Sequence, residues 1–181
     1  STHQNRFLSG SKNLLCSLKA HGALSGSPDI QHVLFLVSDD LKASALGCYG
    51  NNQCKTPNID RLAAEGMIFE NAYCQGLWCA PSRTSFMHSR YQGEGATNLG
   101  QCFREAGWHS TRVGKIYHYN VPKHVGTSGH DDPYSWDFTV NPRGRDKAEE
   151  HLIFSLQPGQ FGGTLSWLAA DGTDEEQTDG I

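Results

Sequence analysis

The residue pattern best suited to chemistry runs from Cys79 to Arg83 and reads Cys-Ala-Pro-Ser-Arg. Pro81 can begin a helix that continues to about Met87, so residues 74–81 are predicted to be a loop that places the Cys79 sulfur beside a helix N-terminus. Backbone N–H groups and the helix dipole favour an anion there, and the planar, permanently charged Arg83 binds oxyanions well. The pattern predicts an anion site beside a thiol, although an unmodified loop cysteine is also compatible with it.

A pair of adjacent carboxylates, Asp39 and Asp40, follows the first apolar run of the chain. Residues 33–37 are apolar without alternation, which is typical of a strand buried on both faces, here predicted over residues 32–38. In open α/β sheets ligands bind beyond the carboxyl ends of the strands. Two neighbouring carboxylates need a counter-charge, and Ca²⁺ or Mg²⁺ would supply it. The alternative is a solvated acidic turn.

Two further segments carry polar groups suited to an anionic substrate. Lys115 follows Gly114 at the end of a predicted strand and can hold a sulfate or phosphate oxygen, while His118 can move a proton near neutral pH. Farther along, Asp132 and Trp136 lie in a polar and aromatic stretch that suits recognition of a sugar or another polar substrate. A packed tryptophan beside solvated acids is the alternative for that stretch.

The elements that must position these groups alternate in type. We predict a helix that Thr56 caps and Gly66 ends, a strand over residues 67–72, a helix from about residue 98 to 106, and strands near residues 109–113 and 152–156. This order predicts an α/β layered sandwich with a largely parallel sheet. Residues 1–28 are predicted to be a polar, mobile leader, residues 29–158 the main domain, and residues 159–181 an irregular, glycine-rich and then acidic segment.

Composition and charge limit the classes of partner and site expected for this chain. The chain has 181 residues, a net charge of −4 and no basic run, so nucleic acid is not an expected partner. No stretch approaches the ~20 apolar residues that span a membrane. The six cysteines include no Cys-x-x-Cys pair, so zinc-ribbon and thioredoxin-like sites are not supported, and the cysteine count does not decide the compartment.

Taken in order, these motifs resemble the N-terminal half of the type I sulfatases, in the alkaline phosphatase superfamily. The resemblance runs from about Val33 to Trp136 and includes the Thr-Pro-Asn-Ile-Asp stretch that begins at Thr56. Leu-Gly-Cys-Tyr-Gly, ending at Gly50, and the two-residue spacing between Lys115 and His118 are most similar to the iduronate-2-sulfatase group and its bacterial relatives. The resemblance implies an α/β sandwich that this stretch of chain leaves incomplete at its C-terminus.

The resemblance also implies residue roles. Cys79 would be converted to Cα-formylglycine by a formylglycine-generating enzyme, and Asp39 and Asp40 would bind calcium together with the modified Cys79. Arg83 would orient the hydrated aldehyde, and Lys115 would bind the sulfate. His118 would assist release of sulfate, and a substrate contact is expected from Asp132 and Trp136. The substrate would be a sulfate ester, and the family implies an exported protein, whether periplasmic, secreted or lysosomal.

Two departures from the family pattern leave other functions open. Met87-His88-Ser89-Arg90 replaces the usual Leu-Thr-Gly-Arg after the cysteine motif, and the chain carries neither the family's second metal-ligand pair nor its leaving-group lysine. The alternatives are a phosphonate monoester hydrolase or phosphodiesterase of the same superfamily, and an inactive, truncated sulfatase-like chain.

Overall fold

The computed structural model describes residues 30–91, 97–157 and 165–181. These residues fall into two compact units, of which the first ends at Gln75 and the second begins at Gly76. The predicted leader, residues 1–28, lies outside the described residues. The predicted boundaries at residues 28 and 158 therefore stay predictions.

The first unit is built around helix α1, Pro57–Glu65, preceded by the short 3-10 helices Ala43–Ala45 and Gly47–Tyr49. Thr56 and Gly66 flank α1 as the sequence predicted, and Pro57 occupies its first turn. The Thr56 hydroxyl accepts a hydrogen bond from the amide of Gly47 at 2.9 Å and donates to Asp60 at 3.0 Å. These bonds fix the start of α1 to the preceding 3-10 turn.

Both strands predicted for this unit are absent. Residues 32–38 and 67–72 have no regular secondary structure, and the side chains of Leu34 and Leu36 are 82% and 73% exposed. A strand needs a neighbouring strand for its backbone N–H and C=O groups, and the two sheets of the described residues include neither segment. The apolar pattern identified a segment able to enter a sheet, but pairing requires a partner that the pattern does not specify.

The second unit contains the remaining helices and strands. Its elements are helices α2 (Cys79–His88), α3 (Leu99–Glu105) and α4 (Arg145–Ala148), strands β1 (Thr111–Val113), β2 (Phe138–Val140), β3 (Phe154–Ser155) and β4 (Ser166–Trp167), and 3-10 helices at Glu150–Leu152 and Asp174–Glu176. Helix α3, strand β1 and strand β3 lie where the sequence predicted them. Strand β2 was not predicted, and the C-terminal segment expected to be irregular contains β4.

The sheet that bears on the site is the parallel pair β1–β2, with Thr111 opposite Phe138 and Val113 opposite Val140. The pair β3–β4 is antiparallel. A parallel pair beside helices agrees with the predicted α/β class. The described strands are fewer than a layered sandwich needs, so that finer prediction is not confirmed.

The interior of the second unit is largely polar. Its apolar members are Met87, Cys102 and Tyr117, each at most 6% exposed. Its polar members are Arg83, Ser85, Asn98, Arg112 and Ser135, each at most 4% exposed, and Ser110, which is 9% exposed. Since buried polar groups are stabilised only when hydrogen-bonded, the hydrogen bonds of this interior determine where the candidate site residues lie.

Candidate active site

Cys79 is the first residue of helix α2, and Trp78 is its N-cap in an extended conformation. The sequence predicted Cys79 in a loop and a helix beginning at Pro81, so the helix begins two residues earlier than expected. Pro81 is compatible with this because the first amides of a helix have no intrahelical acceptor to lose. Cys79 therefore lies in the first turn, where backbone N–H groups and the helix dipole favour an anion.

Arg83 lies one turn farther along α2 and is only 3% exposed. Its Nη1 donates to the carbonyl oxygen of Lys115 at 3.0 Å and to that of Ile116 at 2.8 Å. A guanidinium presents several donors in a fixed plane, so one side chain fixes two successive peptide units. The helix that begins with Cys79 is thereby joined to the segment that carries Lys115.

Gly114 sets the direction in which this segment leaves strand β1. Its φ is +68°, a left-handed conformation that glycine adopts without the steric cost of a Cβ. The Gly114 amide donates to Val140 at 3.0 Å, and its carbonyl accepts from Arg112 Nη1 at 3.0 Å. Lys115 then points its Nζ toward the Tyr119 ring, 5.8 Å from the centroid.

Tyr117, between the two predicted catalytic residues of this segment, is buried and packs against two histidine rings. The centroids of His88 and His130 lie 6.4 Å and 6.5 Å from that of Tyr117. Burial raises the pKa of Tyr117 and hydrogen bonding to Ser135 partly offsets that rise, while the charge of Asp132 adds to it. The segment of Lys115 and His118 therefore lies beside the loop of residues 131–136, and His118 itself is partly buried.

Asp132 joins that loop to the start of helix α3. Its Oδ2 accepts hydrogen bonds from Asn98 Nδ2 at 2.6 Å and Gln101 Nε2 at 2.7 Å, and lies 2.5 Å from the Ser135 hydroxyl. Burial would raise the pKa of Asp132, but the bonds from Ser135, Asn98 and Gln101 outweigh it and hold the pKa below its usual value. A Cβ on Gly100 would lie 2.7 Å from the Ser135 carbonyl oxygen, so the helix needs a glycine there to admit the loop.

Asp131 lies in the same loop and faces the sheet. Its Oδ2 accepts from Arg112 Nε at 2.6 Å and also contacts Nη2 of that buried guanidinium. Its Oδ1 accepts from the indole Nε1 of Trp136 at 2.9 Å. Arg112 also donates to Asn141 Oδ1 at 2.9 Å, so Trp136 is connected through one carboxylate to the end of the parallel sheet.

The predicted metal ligands Asp39 and Asp40 belong to the first unit, whereas Cys79 belongs to the second. The carboxylate oxygens of Asp39 and Asp40 lie within 4.8 Å of each other. Asp40 has a φ of +54°, a left-handed conformation that aspartate tolerates better than most residues. Two adjacent hard oxygen donors fit a divalent cation of the Ca²⁺ or Mg²⁺ type.

Sequence reasoning thus named Cys79, Arg83, Lys115 and His118 on two segments that one buried arginine joins. It missed the residues that support them. Asn98 precedes a helix and its side chain accepts from the Gln101 amide at 2.9 Å, an N-cap signal that the sequence does contain. Arg112 and Tyr117 carry no comparable local signal. For Arg112, a charged residue inside a three-residue strand is equally typical of an exposed edge.

Comparison with protein families identifies the family to which the chain belongs. The family model described as Sulfatase matches residues 31–161, which include every candidate site residue. This chain belongs to the sulfatase family. The predicted resemblance is confirmed, and family membership implies an alkaline-phosphatase-like α/β fold.

The sulfatase chain is similar to several curated relatives. It is 33% identical to the mouse iduronate 2-sulfatase over 78% of this chain and 28% of the relative. It is 36% identical to the human iduronate 2-sulfatase over 63% of this chain and 23% of the relative, and 40% identical to the pig N-acetylgalactosamine-6-sulfatase over 43% and 15%. The chain therefore spans about a quarter of the length of the iduronate 2-sulfatases it matches.

No solved structure gives a significant match to this sulfatase chain. Among the described residues, none of the helices is both long and apolar enough to cross a membrane.

Proposed function

We propose that this sulfatase hydrolyses sulfate esters through a formylglycine derived from Cys79. The observation that carries the proposal is the pair of hydrogen bonds from Arg83 to the carbonyl oxygens of Lys115 and Ile116. They join the helix that begins with the nucleophile to the segment that carries the cation for the sulfate. A nucleophile and an oxyanion-binding group held by one buried side chain form the minimum that this chemistry needs.

The reaction has two steps. One hydroxyl of the hydrated aldehyde at residue 79 attacks sulfur, the bond from sulfur to the ester oxygen breaks, and the alcohol leaves with a proton. The second hydroxyl then loses its proton, the aldehyde C=O forms again, and sulfate departs. Lys115 compensates the negative charge on the sulfate oxygens. His118 hydrogen-bonds the diol and takes the proton in the second step.

A divalent cation, Ca²⁺ in the first place and Mg²⁺ as the alternative, completes the proposal. Asp39, Asp40 and the modified Cys79 would hold it, and when bound it would lower the pKa of the attacking hydroxyl. The adjacent carboxylates of Asp39 and Asp40 support this assignment because they are hard oxygen donors. Arg83, placed along α2 from residue 79, would help to orient the hydrated side chain.

The proposed substrate is a sulfated carbohydrate of the glycosaminoglycan type. The similarity to relatives named iduronate 2-sulfatase and N-acetylgalactosamine-6-sulfatase supports a sugar sulfate. Trp136 would contact the sugar, while a substrate contact by Asp132 would use Oδ1, because Oδ2 already has three partners. An exported location and a formylglycine-generating partner enzyme belong to the same proposal.

The proposal is tested by the mass of the peptide that contains Cys79 and by the rates of ester hydrolysis. In an active enzyme containing this chain, coexpressed with a formylglycine-generating enzyme, the peptide across Cys79 should carry an aldehyde in place of the thiol. Cys79→Ala should abolish turnover, and the wild-type enzyme should cleave 4-nitrophenyl sulfate faster than 4-nitrophenyl phosphate and phenylphosphonate esters. An active enzyme with only unmodified Cys79 would overturn the mechanism, and preference for a phosphorus ester would favour the phosphonate hydrolase alternative.

A further inference from the structure

We infer that Asp131 is a positioning residue that sets substrate specificity by fixing the orientation of the Trp136 indole. The inference rests on the proposed function and deepens it. Both oxygens of the Asp131 carboxylate are hydrogen-bonded within the protein. The ring of Trp136 is therefore the part of the loop that would contact a sugar.

The hydrogen bonds of Asp131 leave it little capacity for a ligand. Oδ2 is shared by Nε and Nη2 of Arg112, whose side chain is 2% exposed. Oδ1 accepts from Trp136 Nε1 at 2.9 Å and from the Asp132 amide at 3.0 Å. Arg112 is itself hydrogen-bonded to the carbonyl of Gly114 and the side chain of Asn141. Asp131 and Arg112 therefore hold the indole in a fixed position relative to the sheet.

The far end of the loop is fixed independently. Arg104 Nη1 donates to the Tyr134 carbonyl at 2.5 Å, and Arg104 Nε donates to Asp137 at 2.9 Å. The Ser110 amide also donates to Asp137 at 2.8 Å. Trp136 therefore lies between two fixed points, and its remaining freedom is rotation of the ring, which the bond to Asp131 removes.

The charge arrangement suits an anionic substrate. A free carboxylate at this place would repel a sulfate ester bound at Lys115. The structure pairs Asp131 with Arg112 and surrounds Asp132 Oδ2 with the donors of Asn98, Gln101 and Ser135. Tyr117, two residues from Lys115, lies beside this loop. The partly buried indole is thus the chemically fitting contact, because the C–H face of a sugar ring packs on an aromatic face.

Two variants of an active enzyme containing this chain test the inference. Trp136→Phe keeps an aromatic ring but removes the donor to Asp131. Asp131→Asn keeps the size of the side chain but has one acceptor oxygen, which Arg112 takes, so that the amide NH₂ faces the indole N–H. Each should raise KM for 4-methylumbelliferyl iduronide 2-sulfate about 5–10-fold, the worth of one such hydrogen bond. The loss should be smaller on 4-nitrophenyl sulfate, which has no sugar ring for the indole to pack against. Trp108→Phe, which alters a tryptophan packed on Phe103, is the matched control and should affect neither substrate.

An independent readout separates this inference from the proposed function. In ¹⁵N-tryptophan-labelled wild-type protein, the indole N–H of Trp136 should exchange slowly with solvent, and Asp131→Asn should speed that exchange. If the wild type cleaves neither ester while the N–H is protected, the proposed function fails and the positioning by Asp131 stands. Fast exchange of the indole N–H in the wild type would overturn the positioning of Trp136 by Asp131. A KM for the iduronide that is unchanged in Trp136→Phe, or equal losses on both esters, would overturn the role in substrate specificity. If Asp131→Asn does not fold, Trp136→Phe decides alone.

Discussion

The carbonyl oxygen of Lys115 accepts a hydrogen bond from Nη1 of Arg83 at 3.0 Å, across 32 residues of chain. Arg83 is thus placed to control the position of Lys115 in addition to any contact with the modified Cys79. Because the guanidinium is 3% exposed, a substitution there changes a buried network rather than a surface charge.

Replacing Arg83 by lysine should therefore slow turnover largely through Lys115. A lysine keeps the charge, but its side chain is one atom shorter and lacks the planar guanidinium whose Nη1 reaches both carbonyls. We expect Arg83→Lys and Lys115→Ala each to lower kcat about 10²–10³-fold on 4-nitrophenyl sulfate, typical of removing one charge-stabilising group. The double variant should lose little more than Lys115→Ala alone. The Cys79 modification must be quantified in each variant by mass spectrometry, and Arg61→Lys on the exposed face of α1 is the control. Fully additive losses would mean that Arg83 acts independently of Lys115.

Ser89→Gly should stabilise the protein. Ser89 ends helix α2 with a φ of +55°, where an L-residue is strained and glycine is not. It also occupies the glycine place of the family's Leu-Thr-Gly-Arg stretch. The lost strain exceeds the added backbone entropy of glycine by about 0.5–1 kcal/mol, measurable as a higher urea midpoint with an unchanged slope. Ser82→Gly inside α2 is the matched control and should destabilise the protein. An unchanged or lower midpoint for Ser89→Gly would contradict the assigned backbone conformation.

Asp132 should make stability depend on acid pH. Its pKa is lowered from 3.8 in the folded state, so its contribution is fully present above pH 3.8 and is lost as the pH falls through the folded value. Asp132→Asn should therefore show a weaker loss of stability on acidification, followed by urea unfolding at steps between about pH 2.5 and pH 6. The pKa of Asp137 is lowered too, chiefly by the Ser110 amide, so the variant keeps part of the dependence. Parallel curves for the variant and the wild type would refute this role of Asp132.

The 181-residue chain on its own should neither bind calcium tightly nor turn over sulfate esters. Calcium takes about six to eight oxygen ligands, and this chain is expected to offer Asp39, Asp40 and the modified Cys79. Exposed apolar side chains at Leu34 and Leu36 should also make the isolated chain poorly soluble. Isothermal titration with calcium and a fluorogenic sulfate-ester assay test this. Stoichiometric tight binding or clear turnover would show that these residues suffice for the site.

The sequence by itself determined the family of this protein and the approximate ends of its helices. Thr56 predicted the start of α1 and Gly66 its end, because caps and breakers act within a few residues. The order of the motifs around Cys79 and Lys115 identified the sulfatase family, which the match over residues 31–161 confirms. Such signals can be recognised in the sequence because each depends only on residue type and short spacing.

Only the tertiary structure decided which residues support the site. Arg112, Asn98 and Ser135 are almost fully buried, yet their residue types are ordinarily exposed, so no pattern predicted them as interior. The apolar run at residues 33–37 shows the converse, since it reads as a buried strand but is largely exposed and has no regular secondary structure. Burial and strand pairing depend on contacts distant in sequence, and those contacts place Arg83 against Lys115 and Arg112 against Asp131.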